Sequence, residues 1–183
     1  MTIEFDAQGI EEAKRLLADS PARLRRAAAN AVNRTIKHLG KEISVTVRSE
    51  YIVPAREIKK TLAIRRASRE WLTGKISAVG SPLPLGVFKV TKPKDGALKA
   101  KVRKSSSPKP LKGVFIGKSH KEYTGAMRRV GSASYPLDVP YGPSVPQMLG
   151  NKSVMEPIEK EAEEYLNERF LHEVDQQLRM KGG

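Results

Sequence analysis

The chain contains no cysteine, which excludes disulfides and thiolate metal sites. Aromatic residues are scarce at 5%, so a core must be built from aliphatic side chains. No stretch reaches the roughly 18–20 apolar residues that span a bilayer. The opening Met-Thr-Ile-Glu-Phe-Asp is acidic and polar, unlike the basic lead of a secretory signal. These absences set the expectation of a soluble product of a reducing cytoplasm. The 183 residues fit a single domain over 1–183, large enough to fold on its own core.

Charge is abundant but unevenly placed. The net charge is +14. Residues 1–20 carry two Lys/Arg against five acids, net −3, and residues 151–183 carry five against eight, also net −3. Residues 21–69 carry thirteen against three, net +10, and residues 86–135 thirteen against two, net +11. A basic middle between acidic ends suits contact with nucleic acid, docking on an acidic protein surface, or plain solvation.

Apolar spacing predicts the elements. Ile10, Ala13, Leu16 and Leu17 mark a short helix with Asp6 as N-cap. Leu24, Ala28, Ala31, Val32, Thr35, Ile36, Leu39 and Ile43 predict a long amphipathic helix over 21–48, with Gly40 as its weak point. Val53-Pro54 breaks the chain before a short helix to about Thr61, so helices fill 7–61. Short runs at 62–68, 71–79, 87–90, 97–102, 113–117 and 126–130 read as strands of a sheet region over 62–141. Trp71, Phe88, Phe115, Tyr123 and Tyr135 are isolated and read mostly as core. Within this region 103–112 is Ser-, Pro- and Lys-rich and is expected to be a mobile basic loop. Over 153–179 Val154, Ile158, Ala162, Tyr165, Leu166, Phe170, Val174 and Leu178 predict a second long helix, opened by a Ser153–Glu156 capping box. The fold class is α+β: an antiparallel sheet flanked by long N-terminal and C-terminal helices.

Residues 135–151 pack four prolines and two glycines into 17 residues while keeping Leu137, Val139, Tyr141, Val145, Met148 and Leu149. Proline fixes φ and removes a donor, so this is neither an ordinary helix nor a central strand. The connection 142–151 is stiff and apolar-studded and must lie against something. Its prolines limit the entropy lost on docking, and Tyr and Met are favoured in interface cores. Tyr141, Pro143, Val145, Pro146 and Met148 are therefore expected at an assembly contact, or else they anchor the segment on its own domain.

Constellations for chemistry are missing. His38, His120 and His172 lack metal-ligand spacing, and no nucleophile elbow accompanies His120 and Asp138. Glu159, Glu163 and Glu164 read as a solvated helix face. No cofactor, metal, small-molecule substrate or membrane partner is expected, and the chain does not read as an enzyme. Lys99, Lys101, Arg103, Lys104, Lys109 and Lys112 are candidates for contact with phosphates or an acidic partner without sequence readout.

Tyr-Gly-Pro-Ser-Val-Pro-Gln-Met at 141–148 resembles the signature of the minor tail protein Z family of tailed phages and prophages. Ala29-Asn30-Ala31-Val32-Asn33-Arg34-Thr35, the block from Ile76 to Phe88 with Pro82-Leu-Pro-Leu85, Gly113-Val-Phe-Ile116, Thr124-Gly125 and Arg128-Arg129-Val130-Gly131 are similar to that family in the same order. The resemblance covers about 25–178, with no clear counterpart for 103–112. It implies a structural virion protein, assembled in the bacterial host cytoplasm, that completes the tail at its head-proximal neck end. By family analogy it is a homo-oligomeric, hexameric ring around the DNA channel, touching neighbouring tail or neck proteins. Sequence-neutral DNA binding by the basic middle is the alternative.

Overall fold

The computed structural model describes residues 21–94, 97–118 and 124–180, together with the backbone of 2–5. The expected N-terminal helix around Ile10–Leu17, His120, Tyr123 and residues Asp95-Gly96 lie outside them.

Two long helices form the frame. Helix α1, Pro21–Glu50, buries Ala27, Ala28, Ala31, Val32, Ile36, Leu39, Ile43 and Val47, the three-and-four stripe expected from the sequence. A short helix α2, Ala55–Thr61, follows the Val53-Pro54 break and buries Ile58. A second short helix α3 spans Val145–Leu149 and leads into α4, Lys152–Arg179. Helices α1 and α4 run antiparallel: Arg23 Nη1 donates to the Gln177 carbonyl at 3.4 Å at one end. At the other end Asn151 Nδ2 donates to the Tyr51 hydroxyl at 3.1 Å.

The described residues outside these helices make three small antiparallel sheets rather than the single expected one. The first has the order β1 (Thr2–Phe5), β3 (Gly74–Ala78), β2 (Leu62–Arg65). The second is β4 (Lys89–Thr91), β5 (Lys99–Lys101), β6 (Lys109–Pro110), preceded by a 3-10 turn at Leu85–Val87. The third is β7 (Val114–Lys118), β8 (Thr124–Arg129), β9 (Leu137–Asp138). Strands this short bury too little to hold a wide sheet, so each set closes on its nearest partners. Strand β3 alternates inward and outward, and its buried Gly74, Ile76 and Ala78 lie toward α1. A Cβ on Gly74 would overlap Ile36 Cδ1 and come within 2.7 Å of Val32 Cγ1, so only glycine lets the strand approach the helix this closely.

Among the described residues the core has two parts. The larger joins Val32, Ile36, Leu39 and Ile43 of α1 to Ile76, Phe88, Val145, Met148, Val154 and Ile158. The smaller packs Ala27, Ala28 and Ala31 against Phe170 and Val174 of α4. Each fully buried aliphatic side chain contributes roughly 1.5–3 kcal/mol relative to exposure.

Several sequence expectations are corrected. Trp71 is 70% exposed and Tyr135 63% exposed, although both read as core. Trp71 sits on a turn closed by Ser68 N–H to the Trp71 carbonyl at 2.7 Å and by Trp71 N–H to Ser68 Oγ at 3.0 Å, which carries the indole away from the core. Phe88 is buried, as expected, and Phe115 is half-buried. The capping box also lies elsewhere. Helix α4 has Asn151 as its N-cap, with no side-chain cap hydrogen bond. The box is formed by Ser144 and Gln147 at the start of α3. Proline tolerates that short helix because Pro146 falls in the first turn, where N–H groups have no intrahelical acceptor.

Candidate assembly and anion-contact surfaces

The proline-rich connection is pinned on both sides. Gly142 N–H donates to the Leu83 carbonyl and Leu85 N–H to the Pro140 carbonyl, both at 2.8 Å. A Cβ on Gly142 would reach 2.6 Å from the Phe88 ring, so the backbone crosses directly over that aromatic. Beyond it the Ser144 hydroxyl accepts from Gln147 N–H at 3.3 Å, and Ser144 N–H donates to Gln147 Oε1 at 2.8 Å. This cap turns Val145, Met148 and Leu149 into the core, where Val145 and Met148 have 0% exposure. Of the residues expected at an assembly contact, Val145 and Met148 are thus interior anchors of their own subunit. Pro143 and Pro146 are half-buried, and Tyr141 stands 59% exposed.

The basic candidates divide in the same way. On the second sheet Lys89 lies opposite Lys101 and Thr91 opposite Lys99. Ala100 between them is buried, so Lys99 and Lys101 share the outer face with Lys89. Lys109 pairs with Ala100 and so belongs to the other face. Lys104 and Lys112 are exposed in turns. Arg103 is engaged within the subunit: its Nη2 donates to the Tyr51 hydroxyl at 2.9 Å, and its guanidinium lies 5.2 Å from that ring. Lys104 N–H donates to the Glu50 carbonyl, and Ile52 N–H to the Val102 carbonyl, both at 2.8 Å. Together with β6 these bonds tie 103–112 at both ends, and within it Ser106 Oγ donates to the Arg103 carbonyl at 3.1 Å. Beside it a cleft of about 340 Å³ is lined by Arg48, Lys89 and Lys104 over Tyr51, Pro54 and Phe88.

A third surface runs along the helix pair and was not singled out by the sequence. Glu173 of α4 has 1% exposure. Asn30 Nδ2 donates to its Oε2 at 3.0 Å, and Arg34 Nε lies 2.6 Å from its Oε1. The Arg34 N–H is not directed along that line, so Oε1 is balanced by charge rather than by a hydrogen bond. His38 Nε2 lies 2.8 Å from Glu161 Oε1. A carboxylate only accepts, so this nitrogen carries the proton. The His38 ring stacks on Tyr165 with centroids 4.0 Å apart, and the Arg169 guanidinium lies 5.0 Å from the same ring. A cleft of about 440 Å³ lies there, lined by Arg34, Lys37, His38, Lys41, Tyr165 and Arg169.

The sequence did not single out Glu173 and gave no reason to bury it. The available signal was its place between Phe170 and Val174 opposite Asn30 and Arg34, which only the pairing of α1 with α4 reveals. Asn33 is a similar case. Its Nδ2 donates to the Ala67 carbonyl and its Oδ1 accepts from Ala67 N–H, both at 2.9 Å. One amide thereby replaces a strand partner for the backbone after β2. Asn30, Asn33 and Arg34, noted for the family resemblance of their helix, are thus among the residues that fasten α1 to its neighbours.

None of these surfaces brings together a nucleophile, a base and an oxyanion site. Asp138 is held by Arg128 through Nε at 2.8 Å and Nη2 at 2.7 Å. No helix among the described residues is long and apolar enough to cross a membrane. No curated protein and no solved structure matches the chain. The family model of prophage minor tail protein Z (GPZ) matches residues 7–181. Such proteins are structural, and membership implies contact with other tail proteins. Matched over nearly its whole length, the chain belongs to the prophage minor tail protein Z family and is a structural protein of a phage tail, not an enzyme.

Proposed function

We propose that the chain completes the tail at its head-proximal, neck end, as a homo-oligomeric ring around the DNA channel, assembled in the host cytoplasm and retained in the virion. Six subunits is the number that family analogy suggests. The observation that carries this reading is the presentation of Tyr141. Its ring is 59% exposed on a segment whose next residues, Val145 and Met148, are fully buried. An exposed aromatic on a backbone fixed before association loses little entropy when it is covered, and tyrosine is enriched in interface cores. The half-buried Pro143 and Pro146 follow it and stiffen the segment.

Tyr141→Ala tests the reading. The variant is expected to keep its thermal melt, to shift in native mass from ring to monomer, and to leave tails that fail to join heads. A ring of unchanged mass that still yields mature tails removes Tyr141 from the interface.

A second reading, sequence-neutral DNA binding, is favoured by one specific observation. Lys89 and Lys101 face each other across β4 and β5, and like charges directly opposite destabilise a sheet. A phosphate backbone running over that face would relieve the repulsion. Binding to duplex DNA that weakens steeply between about 50 and 200 mM salt supports this role. A salt-insensitive ring that does not retain DNA excludes it.

A further inference from the structure

Building on the ring reading, we infer that neighbouring copies meet head to tail through oppositely charged helix stripes. Arg34, Lys37 and Lys41 on α1 of one copy receive Glu156, Glu159 and Glu163 on α4 of the next. Both triads have the spacing i, i+3, i+7. At about 100° and 1.5 Å per residue, each triad falls within about 60° of the helix circumference and runs about 10 Å along it. The two stripes are therefore matched in length and pitch as well as opposite in sign.

All six side chains are exposed. Among the described residues, Glu156, Glu159 and Glu163 form no ion pair, and neither do Lys37 and Lys41. Arg34 is already positioned by the buried Glu173, with 53% of its side chain still exposed. The basic stripe is also shaped as a ridge. Lys37 stands between the cleft of about 440 Å³ on the α4 side and one of about 250 Å³ bordered by Gly40, Leu62 and Ile64. Side chains of an incoming helix have a groove on either flank.

The partner is a second copy rather than DNA because of what adjoins the stripe. Glu161 rims the larger cleft through its contact with His38, and Glu173 sits beneath Arg34. A continuous polyanion would meet the exposed Glu161 carboxylate, whereas three spaced carboxylates on a helix can avoid it. Each subunit offers one basic and one acidic stripe on different helices, so the contact is heterologous. Such contacts generate rings when the rotation closes. Single exposed ion pairs are weak, so the stripes set register and exclude wrong pairings rather than supply most of the affinity.

The test is charge reversal on the full chain, read by native mass, sedimentation and thermal melt. Lys37→Glu with Lys41→Glu, and separately Glu159→Lys with Glu163→Lys, are each expected to convert rings to monomers without lowering the melt. All four changes together are expected to restore the ring. If a reversed pair lowers the melt, Lys37→Gln with Lys41→Gln is used instead and is expected to shift the ring partly toward monomer. Rings that persist in both reversed pairs overturn the contact, as does a folded fourfold variant that stays monomeric. A Lys37→Glu, Lys41→Glu protein that keeps its ring but loses retention on duplex DNA assigns the stripe to phosphate and overturns the contact as well. A wild-type chain that is monomeric at every concentration and forms no ring in purified tails fails at the earlier step, the ring itself.

Discussion

The helix pair and the sheets between its members are built on different scales. Helices α1 and α4 contain 30 and 28 residues, and their contact is continuous from the Arg23–Gln177 end to the Tyr51–Asn151 end. The strands from β2 to β9 contain two to six residues each. In the helices nearly every third or fourth residue is buried. On the second sheet Ala100 is the buried residue, and Lys89, Lys99 and Lys101 share the opposite, outward face. Stability is therefore concentrated in the helices, together with the short proline-bearing α3 that plugs their open end. The second sheet displays charge, whereas β3 and β8 also bury Ile76, Ala78, Ala126 and Met127. Substitutions in the first region should threaten the fold, and those in the second should alter what the fold can touch.

The sharpest way to break this contrast is Val145→Asp with Met148→Asp. Both side chains are completely enclosed, and an unpaired buried carboxylate costs several kcal/mol. The double variant is expected to lose its cooperative melt by circular dichroism. A folded variant that merely fails to assemble would return these residues to an interface. Phe170→Ala comes next. It opens a cavity in the smaller core cluster and is expected to cost about 3–5 kcal/mol in denaturant titration. Leu166→Ala should cost less, because Leu166 is only half-buried.

The cap at α3 sharpens the comparison on a smaller scale. Ser144→Ala is expected to cost about 0.5–2 kcal/mol, while Ser153→Ala, at an exposed position that caps no helix, should leave the midpoint unchanged. Equal losses would mean that the two helix starts are equivalent. The smallest effect on stability belongs to Lys89→Gln with Lys99→Gln and Lys101→Gln, expected within about ±0.5 kcal/mol. If that face meets DNA, the same variant should lower the slope of log K against log salt by about 0.9 for each phosphate contact removed. A stability loss comparable to that of Phe170→Ala would show that the second sheet carries structural weight after all.

The sequence by itself determined the two long helices, the Val53-Pro54 break, the α+β class and the family phrase at 141–148. Helical periodicity repeated over seven or eight turns is self-averaging, so one glycine or one misplaced cap does not hide it. It also determined where charge accumulates, since that is a matter of composition. Only the tertiary structure decided which residues of the proline-rich segment are anchors and which are offered outward. Burial of Val145 and Met148 depends on α1 and α4 arriving from distant parts of the chain. The division into three sheets was hidden for the same reason. Strands of two to six residues have no period long enough to read, and their register is fixed by neighbours such as Asn33 at Ala67 rather than by their own pattern. The burial of Glu173 was likewise invisible locally, because its cost is offset only by Asn30 and Arg34, more than a hundred residues earlier in the chain.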